Sequence, residues 1–118
     1  MSPIENIRQV IEPYFQRYEK FFADNLSIMG NSAMNSVAQH IYNTRGKQLR
    51  PMLVLLSAQL CKGINDKTIS SAVALELIHT ASLIHDDVVD NSFTRRGHES
   101  INALWGNKVA VLMGDFYL

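Results

Sequence analysis

Apolar residues recur along this chain at steps of three and four positions, the spacing that places side chains on one face of an α-helix. Pro13 interrupts the first such stripe and should split or kink it near residue 12, because proline lacks the amide hydrogen that a helix interior needs. The sequence Ser2-Pro3-Ile4-Glu5 predicts a capping box with proline at the first helical position. The stripe consists of Ile4, Ile7, Ile11, Tyr14, Phe15, Tyr18 and Phe22.

Five more helical segments are predicted downstream by the same periodicity. They run from a break around Gly30-Asn31-Ser32 to about Tyr42, from Arg50-Pro51 to a closing glycine at Gly63, from about Thr68 to Asp90, from Ile101 to Leu104, and from Lys108 onward. Asn65 or Asp66 is expected to cap the long fourth helix, whose first part is apolar most of the way round and should be buried. No strand, repeat or linker pattern is present, so the predicted fold class is all-α, a helical bundle.

Length and composition narrow the classes of function. A chain of 118 residues forms at most one domain. Its 11 basic and 11 acidic residues balance, so no basic surface for nucleic acid is expected. The longest apolar run, Met52 to Leu56, is too short to span a membrane, and the N-terminus has no signal-peptide pattern. The single cysteine, Cys61, is expected to be a small buried hydrophobe, and a cytoplasmic location is predicted.

The sequence LIHDDVVDNSFTRRG carries the strongest chemical signal. Asp86 and Asp90 are four residues apart and share a helix face, with Asp87 beside them. These acids repel by roughly 4 kcal/mol per pair near a protein surface, and the negative end of a helix adds about 0.3–1 kcal/mol per acid. Oxygen ligands suit Mg²⁺ and guanidinium groups suit phosphate, so the acids with Arg95 and Arg96 indicate a magnesium-bound diphosphate. The alternative is self-neutralisation, in which the arginines pair with the acids.

A second candidate anion site lies in the loop Gly46–Pro51. Lys47 and Arg50 are three residues apart and meet a helix start. The free amide donors of a helix N-terminus already favour an anion. The alternative is a solvated basic turn.

The predicted fourth helix also carries two histidines. His79 lies seven residues before Asp86, so the two share a face, which makes His79 a candidate ligand. The alternative for His79 is a satisfied core histidine. Glu76, one turn earlier, would either orient His79 or satisfy a buried polar contact. His85 points to another face and is expected to be structural.

Four motifs stand in order from Gly46 to the end of the chain, and together they resemble the head-to-tail trans-isoprenyl diphosphate synthases, or polyprenyl synthetases, with medium- and long-chain members the most similar. The motifs are GKQLRP, ELIHTASLIHDDVVD, RRG and GDFYL. DDVVD is similar to the first aspartate-rich motif of that family, DDxxD. The resemblance implies the helical bundle of the isoprenoid synthases and a prenyltransferase that condenses isopentenyl diphosphate with an allylic diphosphate primer.

The resemblance also implies a role for each candidate residue. Asp86 and Asp90 would ligate Mg²⁺ that bridges to the allylic diphosphate, with Asp87 supporting the site. Arg95 would hold that same diphosphate. The separate pocket for the diphosphate of isopentenyl diphosphate would be formed by Lys47, Arg50, His79 and Arg96.

Two small residues suggest how long the product grows. Ala81 and Ser82 lie five and four positions before Asp86, on the side toward which a growing chain would run. In the family that this chain resembles, bulky aromatic residues there act as a floor that stops growth. Small residues therefore predict a product longer than farnesyl. The alternative is that they only allow close helix packing.

Residues 1–118 are expected to be the N-terminal portion of a single synthase domain whose C-terminal part is absent. The second aspartate-rich motif of the family is not found after Asp90, where Asp115 stands alone. GDFYL ends on an apolar helical pattern without a C-cap, so a piece of a longer protein is expected, inactive by itself. A homodimer is the expected assembly, with a heterodimer left open.

Three other functions compete with this interpretation. A metal-dependent phosphohydrolase built on His85 and Asp86 would need further histidines, for which the candidates are His40, His79 and His98. Class I terpene cyclases share the aspartate-rich motif but have no use for a second diphosphate pocket. A regulatory subunit or truncated paralogue of a synthase would have no need to keep the acidic motif intact.

Overall fold

Helices dominate the part of the chain that the computed structural model describes, residues 2–26 and 32–117. They are α1 (Pro3–Val10), α2 (Glu12–Leu26), α3 (Ser32–Asn43), α4 (Leu49–Cys61), α5 (Asp66–Val89), α6 (Ile101–Trp105) and α7 (Asn107–Tyr117). The predicted all-α class is confirmed. Within these residues no helix is long and apolar enough to cross a membrane. The break predicted around Gly30-Asn31-Ser32 lies outside the described residues, except for Ser32, where α3 begins.

The chain forms two compact units, which are described separately. The first contains Met1–Asn25 and Lys47–Glu76, and the second contains Leu26–Gly46 and Leu77–Leu118. The first unit therefore holds α1, nearly all of α2, α4 and the first half of α5. The second unit holds α3, the second half of α5, α6 and α7.

The N-terminal helices follow the local sequence signals. Ser2 Oγ accepts a hydrogen bond from the Glu5 amide at 3.2 Å, and the Ser2 amide donates to Glu5 Oε2 at 3.1 Å. The predicted capping box is thus present. α1 ends at Val10 and α2 begins at Glu12, which confirms the split expected from Pro13.

The apolar stripe is buried only in its second part. α1 has no buried residue and Ile7 is 41% exposed, so the part of the stripe before the split does not contribute to the core. The break at Ile11 interrupts the helical register, and only residues from that point on share a buried face. This face consists of Ile11, Phe15, Tyr18 and Phe22.

The end of α4 and the start of α5 confirm two further predictions. Gly63 has a φ of 95°, and its amide donates to the Ala58 carbonyl at 2.8 Å, so glycine closes α4 as expected. Asn65 Oδ1 accepts a hydrogen bond from the Thr68 amide at 3.0 Å and caps α5.

Two predictions about burial are wrong. Cys61 is exposed, because it lies in the last turn of α4, beyond the buried face formed by Pro51, Met52 and Leu55. The first part of α5 is buried on one side only, through Ile69, Ala72 and Val73, whereas Leu75 and Ile78 are exposed. The apolar residues on most faces of the first part of α5 are therefore buried on one face only.

The second unit contains a short antiparallel hairpin that the sequence pattern did not predict. Its strands are β1 (Thr94–Arg95) and β2 (His98–Glu99), and Arg95 pairs with His98. The two turn residues both have positive φ, 54° at Arg96 and 78° at Gly97, as in a type I′ turn. Strands of two residues leave no alternation for a sequence reading to detect, and the prediction that no strand is present is wrong at this point.

The apolar core of the second unit comes from four helices. Its buried residues include Val37 and Ile41 of α3, Ala81 and Ile84 of α5, Ile101 of α6, and Ala110, Met113 and Tyr117 of α7. The Tyr117 hydroxyl donates a hydrogen bond to the Leu26 carbonyl at 3.1 Å. Burial raises the pKa of Tyr117 from 10.0 to about 12.

This pKa shift predicts a stability loss at high pH. The folded state holds the phenolic proton of Tyr117 more tightly than the unfolded chain, so the stabilisation is complete below pH 10 and is lost toward pH 12. We expect the free energy of unfolding to fall by roughly 1 kcal/mol more between pH 10 and 11 in the wild type than in Tyr117→Phe. Urea unfolding at each pH measures this difference. Parallel curves for the two proteins would contradict it.

Candidate functional site

The C-terminal end of α5 is closed by a residue in the left-handed conformation. Asn91 has a φ of 52°, the Ser92 amide donates to the Asp87 carbonyl at 2.9 Å, and the Asn91 amide donates to the Val88 carbonyl at 3.3 Å. This is the pair of bonds of a Schellman motif, with asparagine in the place that glycine usually takes. The three aspartates of DDVVD therefore lie in and just after the last turn, at the negative end of the helix dipole, as the sequence predicted.

A network of hydrogen bonds ties the hairpin to this helix end. The Ser92 carbonyl accepts from Ser100 Oγ at 2.8 Å and from Asn102 Nδ2 at 2.9 Å. The Ser100 amide donates to the Phe93 carbonyl at 3.0 Å, while Ser100 Oγ also caps α6. Sequence reasoning missed Ser100 and Asn102. The sequence shows a serine before a short apolar helix, a pattern that predicts a helix N-cap and does not indicate a functional site.

Asp87 and Arg95 form a bidentate ion pair within the second unit. Arg95 Nη2 donates to Asp87 Oδ1 at 2.7 Å, and Arg95 Nε donates to Asp87 Oδ2 at 2.9 Å. The Asp87 side chain is 6% exposed and that of Arg95 is 35% exposed. The hydrogen bonds that Arg95 donates to Asp87 raise the pKa of Arg95 against the opposing effect of burial, and the charges of Asp86 and Asp90 raise it further. The predicted self-neutralisation is therefore present at Asp87, one of the three acids.

Asp86 and Asp90 are placed differently from Asp87. Both are exposed and lie one turn apart, and neither pairs with a cation among residues 2–26 and 32–117. The same residues contain no group of three or more acidic, histidine or cysteine side chains that would hold a metal by itself. Mg²⁺ is commonly held by one or two carboxylates, with waters and substrate phosphates completing its shell. The two exposed carboxylates fit that requirement.

Arg96 of the hairpin turn lies against Gly46. A Cβ atom at Gly46 would be 2.8 Å from Arg96 Cζ and 2.9 Å from Arg96 Nε, closer than side chains approach. Glycine at this position therefore makes room for the guanidinium group. The RRG motif meets the first residue of the GKQLRP motif within the second unit. Arg45, next to Gly46, is half-buried and stacks on Tyr42 with its Cζ 4.0 Å from the ring centre.

The remainder of the GKQLRP loop belongs to the first unit, where Lys47 and Arg50 are exposed. Between them Gln48 is buried, with a left-handed φ of 62°. Gln48 Oε1 accepts a hydrogen bond from the Tyr18 hydroxyl at 2.6 Å, and Gln48 Nε2 lies 3.4 Å from Glu76 Oε1. Of the two roles predicted for Glu76, this contact matches the buried polar contact. Sequence reasoning missed Gln48 and Tyr18, because one lay in a basic loop and the other on an apolar stripe.

The histidines do not converge on Asp86. His85 Nε2 lies 3.2 Å from the Val111 carbonyl and 3.3 Å from Asp115 Oδ1, so its expected structural role is confirmed. His40 Nε2 lies 2.8 Å from the Glu99 carbonyl, with its ring edge-on to Trp105. His98 is exposed on β2 and His79 is half-buried. The described residues therefore provide no histidine cluster of the kind that the phosphohydrolase alternative requires.

The two small residues before Asp86 differ in exposure. Ala81 is fully buried, whereas Ser82 is exposed and its hydroxyl donates to the His79 carbonyl at 2.8 Å. Their influence on product length stays a prediction. The difference matters for experiments, because a large side chain at Ala81 would overpack the core at a cost of typically about 1–3 kcal/mol.

The ion pair at the end of α5 should contribute to stability, unlike the exposed acids beside it. We expect Asp87→Asn to lower the free energy of unfolding by about 1–3 kcal/mol, because a buried charge partner is lost. Asp90→Asn is the matched control. It should leave stability unchanged or raise it by about 0.3–1 kcal/mol, because it removes an exposed acid from the negative end of a helix. Urea unfolding of both variants decides the point, and equal losses would contradict the assignment.

Residues 31–118 match the polyprenyl synthetase family. The chain is 41% identical over 105 residues to the all-trans-nonaprenyl-diphosphate synthase (geranyl-diphosphate specific) of Rhodobacter capsulatus, covering 88% of this chain and 32% of that protein. The chain thus spans about a third of the length of the curated relatives it matches.

Solved structures show the same architecture. A decaprenyl diphosphate synthase from Rhodobacter capsulatus superimposes with a TM-score of 0.91 at 36% identity, over 98% of this chain and 35% of that one. A polyprenyl synthase from Caulobacter crescentus CB15, solved in complex with calcium and isoprenyl diphosphate, gives a TM-score of 0.89 at 33% identity, over 97% of this chain and 34% of that one. The helices described here therefore correspond to about a third of each of those chains.

Proposed function

The chain belongs to the polyprenyl synthetase family, and we propose that it supplies the first aspartate-rich half of a prenyltransferase site that condenses isopentenyl diphosphate with an allylic diphosphate to give a longer trans-polyprenyl diphosphate. The observation that carries this proposal is the division of labour at the end of α5. Asp86 and Asp90 are exposed one turn apart, while Asp87 holds Arg95 beside them. Carboxylates and a guanidinium group together suit a metal-bound diphosphate.

In this proposal Asp86 and Asp90 would hold Mg²⁺ through their carboxylate oxygens. When bound, the ion neutralises charge on the leaving diphosphate. The exposure of both carboxylates leaves their oxygens open to a ligand. The Caulobacter crescentus relative was solved in complex with calcium and isoprenyl diphosphate, and the presence of a hard cation and a diphosphate in that complex supports this proposal.

Arg95 is proposed to bind the allylic diphosphate directly. Asp87 engages its Nε and Nη2 atoms, which fixes the plane of the guanidinium group and leaves the Nη1 donors to a ligand. Arg95 is positively charged at every physiological pH, as arginines in proteins are, and the hydrogen bonds that it donates to Asp87 raise its pKa further. Asp87 is thus proposed to act through Arg95 rather than as a metal ligand.

The diphosphate of isopentenyl diphosphate is proposed to bind a second set of cations. Lys47 and Arg50 are exposed in the first unit, and Arg96 is exposed in the second, where it lies against Gly46. His79 is the fourth member that the family resemblance assigns to this pocket. Two cationic sets suit two anionic substrates, which distinguishes this proposal from a terpene cyclase.

The proposed reaction breaks the allylic C–O bond, and the bonding electrons leave with the diphosphate. Arg95 stabilises that developing charge through its hydrogen bonds. The double bond of isopentenyl diphosphate then attacks the allylic cation, and loss of a proton gives an allylic diphosphate longer by one isoprene unit. We also propose a homodimer and a cytoplasmic location, neither of which this mechanism requires.

A prenyl-transfer assay tests the proposal. Residues 91–118 contain no second aspartate-rich motif, so we expect no turnover by the 118-residue chain. We expect turnover by a longer protein that contains both this chain and the second motif. In that protein Asp86→Ala should lower kcat by about 10²–10³-fold, because transition-state charge loses its counterion. The assay uses Mg²⁺, farnesyl diphosphate and labelled isopentenyl diphosphate, with extracted products sized by chromatography.

Two further variants make this assay specific. Lys47→Gln should raise KM for isopentenyl diphosphate, whereas Arg45→Gln, which removes a stacked cation two residues away, should not. Unchanged turnover in Asp86→Ala would refute the proposal. Absence of product from the longer protein would favour the alternative that this chain belongs to a non-catalytic subunit.

Product length provides a separate prediction. Ser82 is exposed, so Ser82→Phe should be tolerated and should shorten the product by adding a bulky wall on the side proposed for the growing chain. Ser71→Phe is the matched control, since Ser71 is an exposed serine near the start of the same helix. Chromatographic sizing of both variants' products is the measurement. Products of identical length from both would remove Ser82 from the chain-length wall.

A further inference from the structure

A buried glutamine separates the two exposed cations of the GKQLRP loop. Gln48 is 7% exposed, while Lys47 and Arg50 on either side are exposed. The Gln48 backbone is left-handed, with φ 62° and ψ 39°, a region that few residues other than glycine adopt. Its carbonyl accepts the first hydrogen bond of α4, from the Met52 amide at 3.2 Å. The direction in which the loop enters α4 therefore depends on this one residue.

The Gln48 side chain is engaged at both ends of its amide. The Tyr18 hydroxyl of α2 donates to Oε1 at 2.6 Å, a short bond between buried groups. Nε2 donates to Glu76 Oε1 of α5 at 3.4 Å, a longer and weaker contact. Tyr18 is fully buried and Glu76 is 5% exposed. Two helices of the first unit thus hold the middle of a loop whose cations face solvent.

We propose that Tyr18, Gln48 and Glu76 are positioning residues that hold Lys47 and Arg50 in the arrangement that binds the diphosphate of isopentenyl diphosphate. This inference rests on the function proposed above for Lys47 and Arg50. A left-handed conformation at a residue other than glycine is unfavourable and persists only when its surroundings enforce it. Without the anchors, the loop would populate other conformations, and the apparent affinity for the anion would fall in proportion to the lost competent fraction.

Tyr18→Phe tests the inference, because it removes one hydroxyl and keeps the aromatic core. Tyr117→Phe is a matched control, since it also removes a buried tyrosine hydroxyl that donates a hydrogen bond, in the other unit. Both variants of the 118-residue chain, labelled with ¹⁵N, are titrated with isopentenyl diphosphate in EDTA and followed by amide chemical shifts. We expect Tyr18→Phe to weaken binding by roughly two- to tenfold and Tyr117→Phe to leave it unchanged.

Lys47→Gln and a second ligand separate this inference from the proposed function. If Lys47→Gln weakens binding and Tyr18→Phe does not, the positioning role is refuted while the proposed function stands. If the wild type does not bind, or Lys47→Gln binds as tightly as the wild type, both are refuted. Farnesyl diphosphate with Mg²⁺ serves as the second ligand. Its affinity should be the same in Tyr18→Phe as in the wild type, and an equal loss for both ligands would indicate general destabilisation and overturn the inference.

Gln48→Gly provides an independent variant. Glycine adopts a positive φ without strain, so the backbone of the loop remains accessible while the buried anchor is lost. We expect isopentenyl diphosphate binding to weaken at least as much as in Tyr18→Phe. Binding equal to that of the wild type would show that the left-handed backbone alone positions the cations, and it would refute the role of the side-chain network.

Discussion

The bidentate pair between Asp87 and Arg95 is the interaction on which the arrangement of the second unit depends. Asp87 lies at the negative end of α5 with its side chain 6% exposed, where an unpaired carboxylate would be strongly disfavoured. Arg95 reaches it only because the chain leaves the helix through a Schellman motif and returns in a hairpin. Ser100 and Asn102 hold that hairpin by donating to the Ser92 carbonyl.

The same pair divides three chemically identical acids into two kinds. Asp87 is paired with Arg95 and buried, and the other two are exposed at a helix end that disfavours negative charge. This uncompensated charge suits a divalent cation, which would relieve both the mutual repulsion and the dipole cost. An ion pair that stabilises the fold and a candidate metal site thus occupy one turn of one helix, and they use different acids.

The RRG and GKQLRP motifs, which carry the candidate cations, both contain a residue other than glycine in a left-handed conformation that glycine usually adopts. Arg96 occupies the first position of a type I′ turn and packs against Gly46, and Gln48 adopts the left-handed region between Lys47 and Arg50. Each needs support from elsewhere in its unit, through a hairpin in one case and a buried hydrogen-bond network in the other. Such enforced backbone is concentrated at functional sites more often than in loops that only connect helices.

The local features of this protein could be predicted from its sequence alone. The capping box, the split at Pro13, the Asn65 cap and the spacing of Asp86 and Asp90 were all predicted, because each depends on residues within about four positions. Which acid Arg95 binds, eight residues away, depends on the tertiary structure, and so does the hydrogen bond between the Tyr18 hydroxyl and the Gln48 side chain, 30 residues apart. The tertiary structure also decided that Cys61 is exposed. Partner choice and burial depend on which faces the fold brings together, and no periodicity along the chain encodes that outcome.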